Sequence, residues 1–393
     1  MYREKSCGST IMDVYYRARG TEIYIERKGV EKPLYIFGIN WAGFEWRGRV
    51  VGGLHVRNWV EILQQIKSLG FNAIRIPFCA ESVKPGVFPA PRTINYALNR
   101  DLIGLDSISI MEKIIAKAAE LELYILLCFH NISCLIMEPL WYTPLFSEQQ
   151  FIDTWIRVAK RFSRYWNVIG AELYNNPHGR LPPSYYYESG ECATWGMGNP
   201  KTDWNLAAER IGRAVLEVAP HWLIIVKGTQ LTNPRSDNVP LYPEATYAGE
   251  NLRAVRDYPV NLPRDKLVYG VDIYGPDVYY MPYFNDPNIF PDKLYLIWDQ
   301  NWGYVKKELG YPLIIAEFGG LYGRGDPRDV IWHQKLVEYM ISNNICHWFY
   351  NALNPDNPST AGLLENDWRT VREDKMALLR RAMDYCRERY GNI

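Results

Sequence analysis

Two short stretches carry the residues best placed to do chemistry. One is Val168-Ile-Gly-Ala-Glu-Leu-Tyr-Asn-Asn-Pro-His-Gly179 and the other is Leu313-Ile-Ile-Ala-Glu-Phe-Gly-Gly320. Each opens as an apolar run of strand type and ends in polar residues before a Pro or Gly turn. A parallel barrel carries its working side chains at the carboxyl ends of such strands. Two carboxylates facing each other there, about 5 Å apart, would make the acid/base and nucleophile pair that cleaves a glycosidic bond with retention. The second stretch supplies Glu317, but the first ends in Asn175 and Asn176. An amide cannot protonate a leaving oxygen, so one of the two carboxylates is missing.

Other residues offer other chemistries, each beside a structural alternative. Glu317 is either a working carboxylate or a structural partner of Arg75. Lys227 ends a strand-like run; an apolar wall would depress its pKa and make it a Schiff-base nucleophile. The alternative is an ion pair with Glu172 or Asp272, or a side chain that snorkels to solvent. Asp272 is a candidate base for proton abstraction, or a polar residue with no catalytic role. Cys128 and His130 lie two apart on one strand and so share a face. They form either a nucleophile–base pair or a buried thiol beside a hydrogen-bonded imidazole. His178, His221, His333 and His347 show no ligand spacing, so no metal is expected.

The elements that must position these residues recur along the chain. Apolar runs at Tyr35–Trp41, Ala73–Phe78, Tyr124–His130, Val168–Tyr174, Leu223–Lys227, Leu267–Tyr274, Leu313–Phe318 and Cys346–Ala352 read as strands buried on both faces. Amphipathic stretches such as Trp59–Leu69, Ile108–Leu121, Phe151–Tyr165, Asn205–Ala219 and Asp329–Asn343 alternate with them. Eight such units predict a single α/β domain, a (β/α)₈ barrel over residues 35–393 with long loops on its carboxyl-end face. Residues 1–34 read as a hairpin-like lead-in packed on it, with Glu22–Lys28 alternating as one arm. A doubly wound sheet would want a Gly-rich phosphate turn after the first strand, and Gly38-Ile-Asn-Trp-Ala-Gly43 is not one.

The 44 basic and 44 acidic residues balance, with no long run of either sign, which argues against a nucleic-acid partner. No stretch is apolar enough to span a membrane, and the first residues lack the apolar core of a signal peptide. A soluble chain is the expectation. The 14 Trp and 29 Tyr suit a groove that stacks flat ligands such as sugar rings, although large cores also absorb aromatics. The seven cysteines show no zinc spacing. Cys79 with Cys134 and Cys346 with Cys386 are plausible pairs, and buried free thiols are the alternative.

The motifs Gly38-Ile-Asn-Trp41, Gly70-Phe-Asn-Ala-Ile-Arg-Ile-Pro77, Asn167-Val-Ile-Gly170 and Ile315-Ala-Glu-Phe-Gly-Gly320 resemble those of family 5 glycoside hydrolases, and the chain is similar to hyperthermophilic archaeal endo-β-1,4-glucanases of that family. The resemblance implies a (β/α)₈ barrel, retention of anomeric configuration and no cofactor. It also implies a β-glucan in the carboxyl-end groove, secretion, thermostability, a monomer, and the bridges Cys79–Cys134 and Cys346–Cys386. By the same resemblance Glu317 is the nucleophile, held and kept ionised by Arg75. His130 lines the sugar site, Asn175 contacts the sugar 2-hydroxyl, and Tyr274 steadies the nucleophile's oxyanion. Trp41 and Tyr174 belong to the same substrate-binding set.

Departures cluster in the pocket. The family's Asn-Glu-Pro reads Asn175-Asn176-Pro177, which puts Asn176 at the acid/base position. Asp272-Ile-Tyr274 stands where His-x-Tyr is usual, and Asn351 where a Trp underlies the cleaved sugar. Lys227 and Cys128 replace Glu and Asp, Ala42 replaces an aromatic, and Glu172-Leu-Tyr174 replaces Asp-Leu-Lys. Such a pattern belongs to a relative drifted to a binding or altered role, or to a pocket rebuilt for another reaction. The expectation is an endoglucanase scaffold with weak or absent cellulase activity. Alternatives are a non-glycosidic catalyst working through Lys227, Asp272 or Glu317, and a carbohydrate-binding pseudoenzyme.

Overall fold

The computed structural model describes residues 14–179, 192–230 and 246–390. Its first elements, β1 (Val14–Arg19), β2 (Glu22–Arg27) and β3 (Val30–Pro33), form a three-stranded antiparallel sheet. Eight further strands follow: β4 (Ile36–Asn40), β5 (Ala73–Cys79), β6 (Tyr124–Asn131), β7 (Val168–Glu172), β8 (Leu223–Lys227), β9 (Leu267–Asp272), β10 (Leu313–Phe318) and β11 (His347–Tyr350). They pair in parallel in chain order, and β11 closes on β4, giving a closed barrel.

Helices lie between most of these strands: α1 (Trp59–Ser68), α2 (Ser107–Glu120), α3 (Glu148–Phe162), α4 (Trp204–Val218), the short α5 (Leu294–Trp298) and α6 (Tyr304–Lys307), α7 (Pro327–Ser342) and α8 (Glu373–Tyr390). Among the described residues the β8–β9 connection holds no helix. The fold is thus the (β/α)₈ barrel the alternation predicts. Local signals start the helices: Ser147 and Gln150 form a reciprocal capping box on α3, and Asp326 with Pro327 opens α7. In α3 the residues Phe151, Trp155, Val158 and Phe162 turn inward at helical spacing. No helix among the described residues is long and apolar enough to cross a membrane.

Strand alternation sorts side chains into two cores. One face packs against the helices and takes Trp41 and Tyr174 with it. The other fills the barrel with Ile36, Leu126, Ile225, Val268, Ile314 and Phe349, and the β1–β3 sheet closes its amino end through Tyr16 and Ile23. Tyr16 and Ala18 anchor that sheet by donating backbone hydrogen bonds to the carbonyls of His221 and Asp265. One layer up, the same period of two turns Arg75, Cys128, Lys227 and Asp272 inward. Gly270 makes this possible: a Cβ there would sit 3.1 Å from Cδ of Lys227, whose stem rises past it.

Both expected disulfides are present. Cys79–Cys134 ties the end of β5 to the loop after β6, and Cys346–Cys386 ties the foot of β11 to α8. Cys128 and Cys192 are free thiols; Cys7 lies outside the described residues.

Candidate active site

Above the apolar filling, the barrel's upper layer is a closed ionic network around Arg75. Its Nε donates to Glu172 Oε2 at 2.7 Å and its Nη1 to Glu317 Oε1 at 2.6 Å. Nη2 reaches Glu172 Oε1 and Asn175 Oδ1, both at 2.6 Å, and lies 3.0 Å from Cys128 Sγ. Lys227 extends the network, with Nζ on Asp272 Oδ1 and 3.2 Å from Glu172 Oε1. Arg75, Glu172, Lys227 and Asp272 are fully buried. Such a network persists only because each charge has partners; removing one strands the rest.

Glu317 is where the network meets open space. A cavity of about 620 Å³ lies over it, walled by Ala42, Trp46, His130, Asn176, Tyr274 and Asn351. The second carboxylate oxygen of Glu317 accepts from Tyr274 Oη at 2.6 Å, and Asn351 Nδ2 donates to that Oη at 2.8 Å. The two oxygens of Glu317 are therefore held by different partners, which fixes the carboxylate plane. Burial pushes its pKa up, but Arg75 foremost, then His130, Lys227 and the Tyr274 hydrogen bond, pull it below the usual range. Glu317 is an ionised carboxylate at the cavity floor.

Across the cavity stands Asn176. In the amide orientation its neighbours satisfy, Nδ2 lies 2.9 Å from the carbonyl oxygens of Asn175 and Ala248 and 2.8 Å from Asp272 Oδ2. Its Oδ1 accepts from Asn175 Nδ2 at 2.7 Å. Gly249, at φ +84°, lets the loop pack this closely: a Cβ there would meet the amide nitrogen of Asn176 at 2.6 Å. Asn176 is a wall residue locked by its surroundings, with no proton to give at ordinary pH.

The structure separates the sequence candidates into three groups. Glu317, His130, Tyr274, Asn351 and Asn176 face the cavity. Arg75, Asn175, Cys128, Lys227 and Asp272 lie under its wall, and four readings change as a result. Asn175, expected against a sugar hydroxyl, spends its amide on Arg75 and Asn176. Lys227, offered as an amine nucleophile, is pushed down by burial, but Asp272 and Glu172 more than offset this and raise its pKa. That is the wrong direction for a Schiff base. Asp272, offered as a base, is covered by Asn176, and burial and then the charge of Glu317 push it up. Cys128 is no nucleophile either: burial raises its pKa and its sulfur points at Arg75.

Trp41 and Tyr174 form the third group, expected at the substrate and found outside the barrel wall. Asn40 faces inward, so its strand neighbour Trp41 faces the helices and donates Nε1 to Gly52 O at 3.0 Å. Tyr174 donates its hydroxyl to the carbonyls of Glu138 and Leu140.

Sequence reasoning missed Glu45, Trp46 and Tyr247, which all line the cavity. Glu45 and Trp46 follow the first barrel strand closely, a position that could have flagged them; Tyr247 sits in a loop with no local signal. Glu45 accepts from Gly43 N at 2.6 Å, and burial pushes its carboxyl up to about 8. The His130 ring is driven down to about 4 by burial and is neutral at pH 7. Among the described residues no cluster of His, Cys, Asp or Glu is arranged to hold a metal.

A barrel with an ionised, doubly held carboxylate at the end of its seventh strand is the frame of a glycosidase. The pattern described as Cellulase (glycosyl hydrolase family 5) matches residues 30–357, and the chain belongs to that family. It is 40% identical over 349 residues to the major extracellular endoglucanase of Xanthomonas campestris, which covers 89% of this chain and 68% of that protein. The endoglucanase of Paenibacillus polymyxa is 37% identical, over 97% of this chain and 90% of that one. Among solved structures, the endocellulase of Pyrococcus horikoshii in complex with cellotetraose superposes with a TM-score of 0.91 at 57% identity, covering 96% of this chain and all of that one.

Proposed function

We propose that the cavity binds a β-1,4-glucan segment, that Glu317 is the nucleophile of a retaining reaction, and that Asn176 occupies the acid/base position. The observation that carries this reading is the asymmetry of the cavity. One side holds an ionised carboxylate fixed by Arg75 and Tyr274, and the other an amide locked to Asp272. The relative solved with cellotetraose favours a glucan as the ligand. General acid–base help is worth about 10²–10⁴-fold, so turnover of unactivated glucan should be slower by that order than in relatives with a carboxylic acid there.

The replacements around the pocket are not independent. Cys128, Glu172, Lys227 and Asp272 touch one another or Arg75, so a change at one is compensated by the others. The site's frame is preserved around the missing acid. An activated fluorosugar tests the reading: it should label Glu317 covalently, whatever the turnover of carboxymethyl-cellulose. Absence of label on Glu317, with the fold intact, would sink it. Reductive trapping of an aldehyde on Lys227 would favour amine chemistry instead.

A further inference from the structure

We infer that Asp277 and Asp329 are positioning residues of this site: one proton shared between their carboxyl groups clasps the loop after β9 to the loop after β10. Those loops carry on from Tyr274 and Glu317, so the clasp sets how the hydroxyl of the first meets the carboxylate of the second. This rests on the reading of Glu317 as nucleophile.

The clasp lies where the strands stop pairing. Among the described residues, the last backbone hydrogen bond between the two chains runs from Ile273 N to Glu317 O at 2.9 Å. Beyond it, side chains hold the loops together. Arg328 does so at the rim, donating to Phe284 O and to Asn285. Closer to the site, Asp277 accepts from the backbone of the neighbouring loop twice, from Leu321 N at 3.0 Å and Asp326 N at 2.6 Å. Asp329, in the first turn of α7, meets it from the other side. Its Oδ2 accepts from Tyr322 N at 3.3 Å and lies 3.2 Å from His333 Nδ1. Two glycines leave room for this carboxylate: a Cβ on Gly275 would sit 2.5 Å from Oδ1, and one on Gly320 would sit 2.3 Å from Oδ2. Gly275 directly follows Tyr274, and Gly320 comes shortly after Glu317.

Oδ1 of Asp329 is buried, and no donor among the described residues reaches it. Such an orphan calls for a proton. The carboxyl group against Asp329 is that of Asp277, and two carboxylates in contact resist ionising together. Burial, then the hydrogen bond and charge of Asp329, push Asp277 up to about 6. Burial also pushes Asp329 up, but His333 foremost brings it below the usual range. Asp277 therefore keeps the proton and donates it to Asp329. The other charges facing the pair are bound elsewhere: Arg328 to Asp326, and Arg372 to Asp374 and the Tyr322 carbonyl. Lys375, brought down to about 7 by burial, donates to the carbonyls of Thr360 and Gly362. Burial keeps the hydroxyls of Tyr322 and Tyr350 protonated. Below about pH 6 the clasp is closed; as pH rises through that value Asp277 ionises, the two carboxylates repel and the loops part.

The experiment uses the full chain and the burst of dinitrophenolate from dinitrophenyl β-cellobioside. That burst reports the attack of Glu317 alone, because the phenolate leaves without a proton and Asn176 has none to titrate. The burst rate should fall about 3–10-fold between about pH 5 and pH 8, the order of one lost hydrogen bond, with donor affinity changed by less than about twofold. Asp329→Asn should abolish the fall. Its oxygen still accepts from Tyr322 N, and its amide donates to an ionised Asp277 at every pH. Lys375 and Glu45 stay in place, so a fall caused by either would persist. Asp277→Asn should be level as well; it leaves the His333–Asp329 pair intact, and it serves alone should Asp329→Asn not fold. Asp329→Ala should be slow across the whole range. No fall in the unaltered chain, or an equal fall in the two Asn variants, overturns the inference and leaves the nucleophile in place. No burst, with no adduct on Glu317 by mass spectrometry, overturns the nucleophile itself.

Discussion

Placing a carboxylate at position 176, the acid/base position proposed above, is the most informative perturbation, because the structure predicts that the single substitution will fail. Nδ2 of Asn176 is 2.8 Å from Asp272 Oδ2. The side chain of an Asn176→Glu variant, one methylene longer, would hold its carboxylate roughly 3–4 Å from that oxygen. At an effective dielectric near 20, two negative charges at that separation repel by about 4–6 kcal/mol. This shifts the second ionisation of the pair by about 3–4 pKa units. The two carboxyls would then titrate as one dyad that resists full ionisation, and surrendering its proton is what the acid step demands. Asn176→Glu alone should therefore raise carboxymethyl-cellulose hydrolysis by less than about 10-fold. Adding Asp272→Asn removes the competing carboxyl while leaving Lys227 its contact with Glu172. The pair should recover a large part of the 10²–10⁴ that acid–base help is worth. A double-mutant cycle on kcat/KM, with Asp272→Asn as the fourth corner, isolates the coupling. Full recovery in the single variant, with less than a threefold gain from the second change, would refute this electrostatic account.

Three further outcomes follow from the same geometry. Tyr274→Phe removes a hydrogen bond to Glu317 that is charge-assisted and worth about 1.5–3 kcal/mol; burst rates on activated donors should fall about 10–100-fold, and the acidic limb of the burst rate's pH profile should move up. Burial raises the Glu172 pKa, but Arg75 and Lys227 bring it down to about 2. A depressed carboxylate stabilises the fold above its unfolded pKa, so about 3 kcal/mol should be present above pH 5 and lost as pH falls toward 2; unfolding scans that show no such loss in this window, or an equal one in an Arg75→Met variant, would count against the network. The two bridges close loops with sequence separations of 55 and 40, which the chain-entropy account values at about 4 kcal/mol each; replacing Cys346 and Cys386 together by Ala should lower Tm by several degrees without altering the burst on Glu317.

The barrel was legible in the sequence because its cause is local. Eight apolar runs separated by helical periodicity have few other ways to bury themselves, and strand-end motifs place Glu317, Tyr274 and Asn176 at one mouth. The structure has all three facing one cavity. The absence of an acid at 176 is likewise a matter of residue type, and no fold could supply it. What tertiary structure alone decided is which polar residues share that cavity and which lie beneath it. Lys227, Asp272 and Cys128 have the types and strand positions of working residues, yet the barrel's inward layer is deep enough to swallow a lysine stem beside Gly270 and pair its ammonium with two carboxyls. Trp41 and Tyr174 have the types of ligand platforms, yet Trp41 alternates away from the inward Asn40 and Tyr174, just past the end of its strand, packs on the helix side. Charge pairing across strands far apart in sequence, from Arg75 to Glu172 to Glu317, sets the pKa of each group. A chain read residue by residue carries no trace of that pairing until closure brings the strands together.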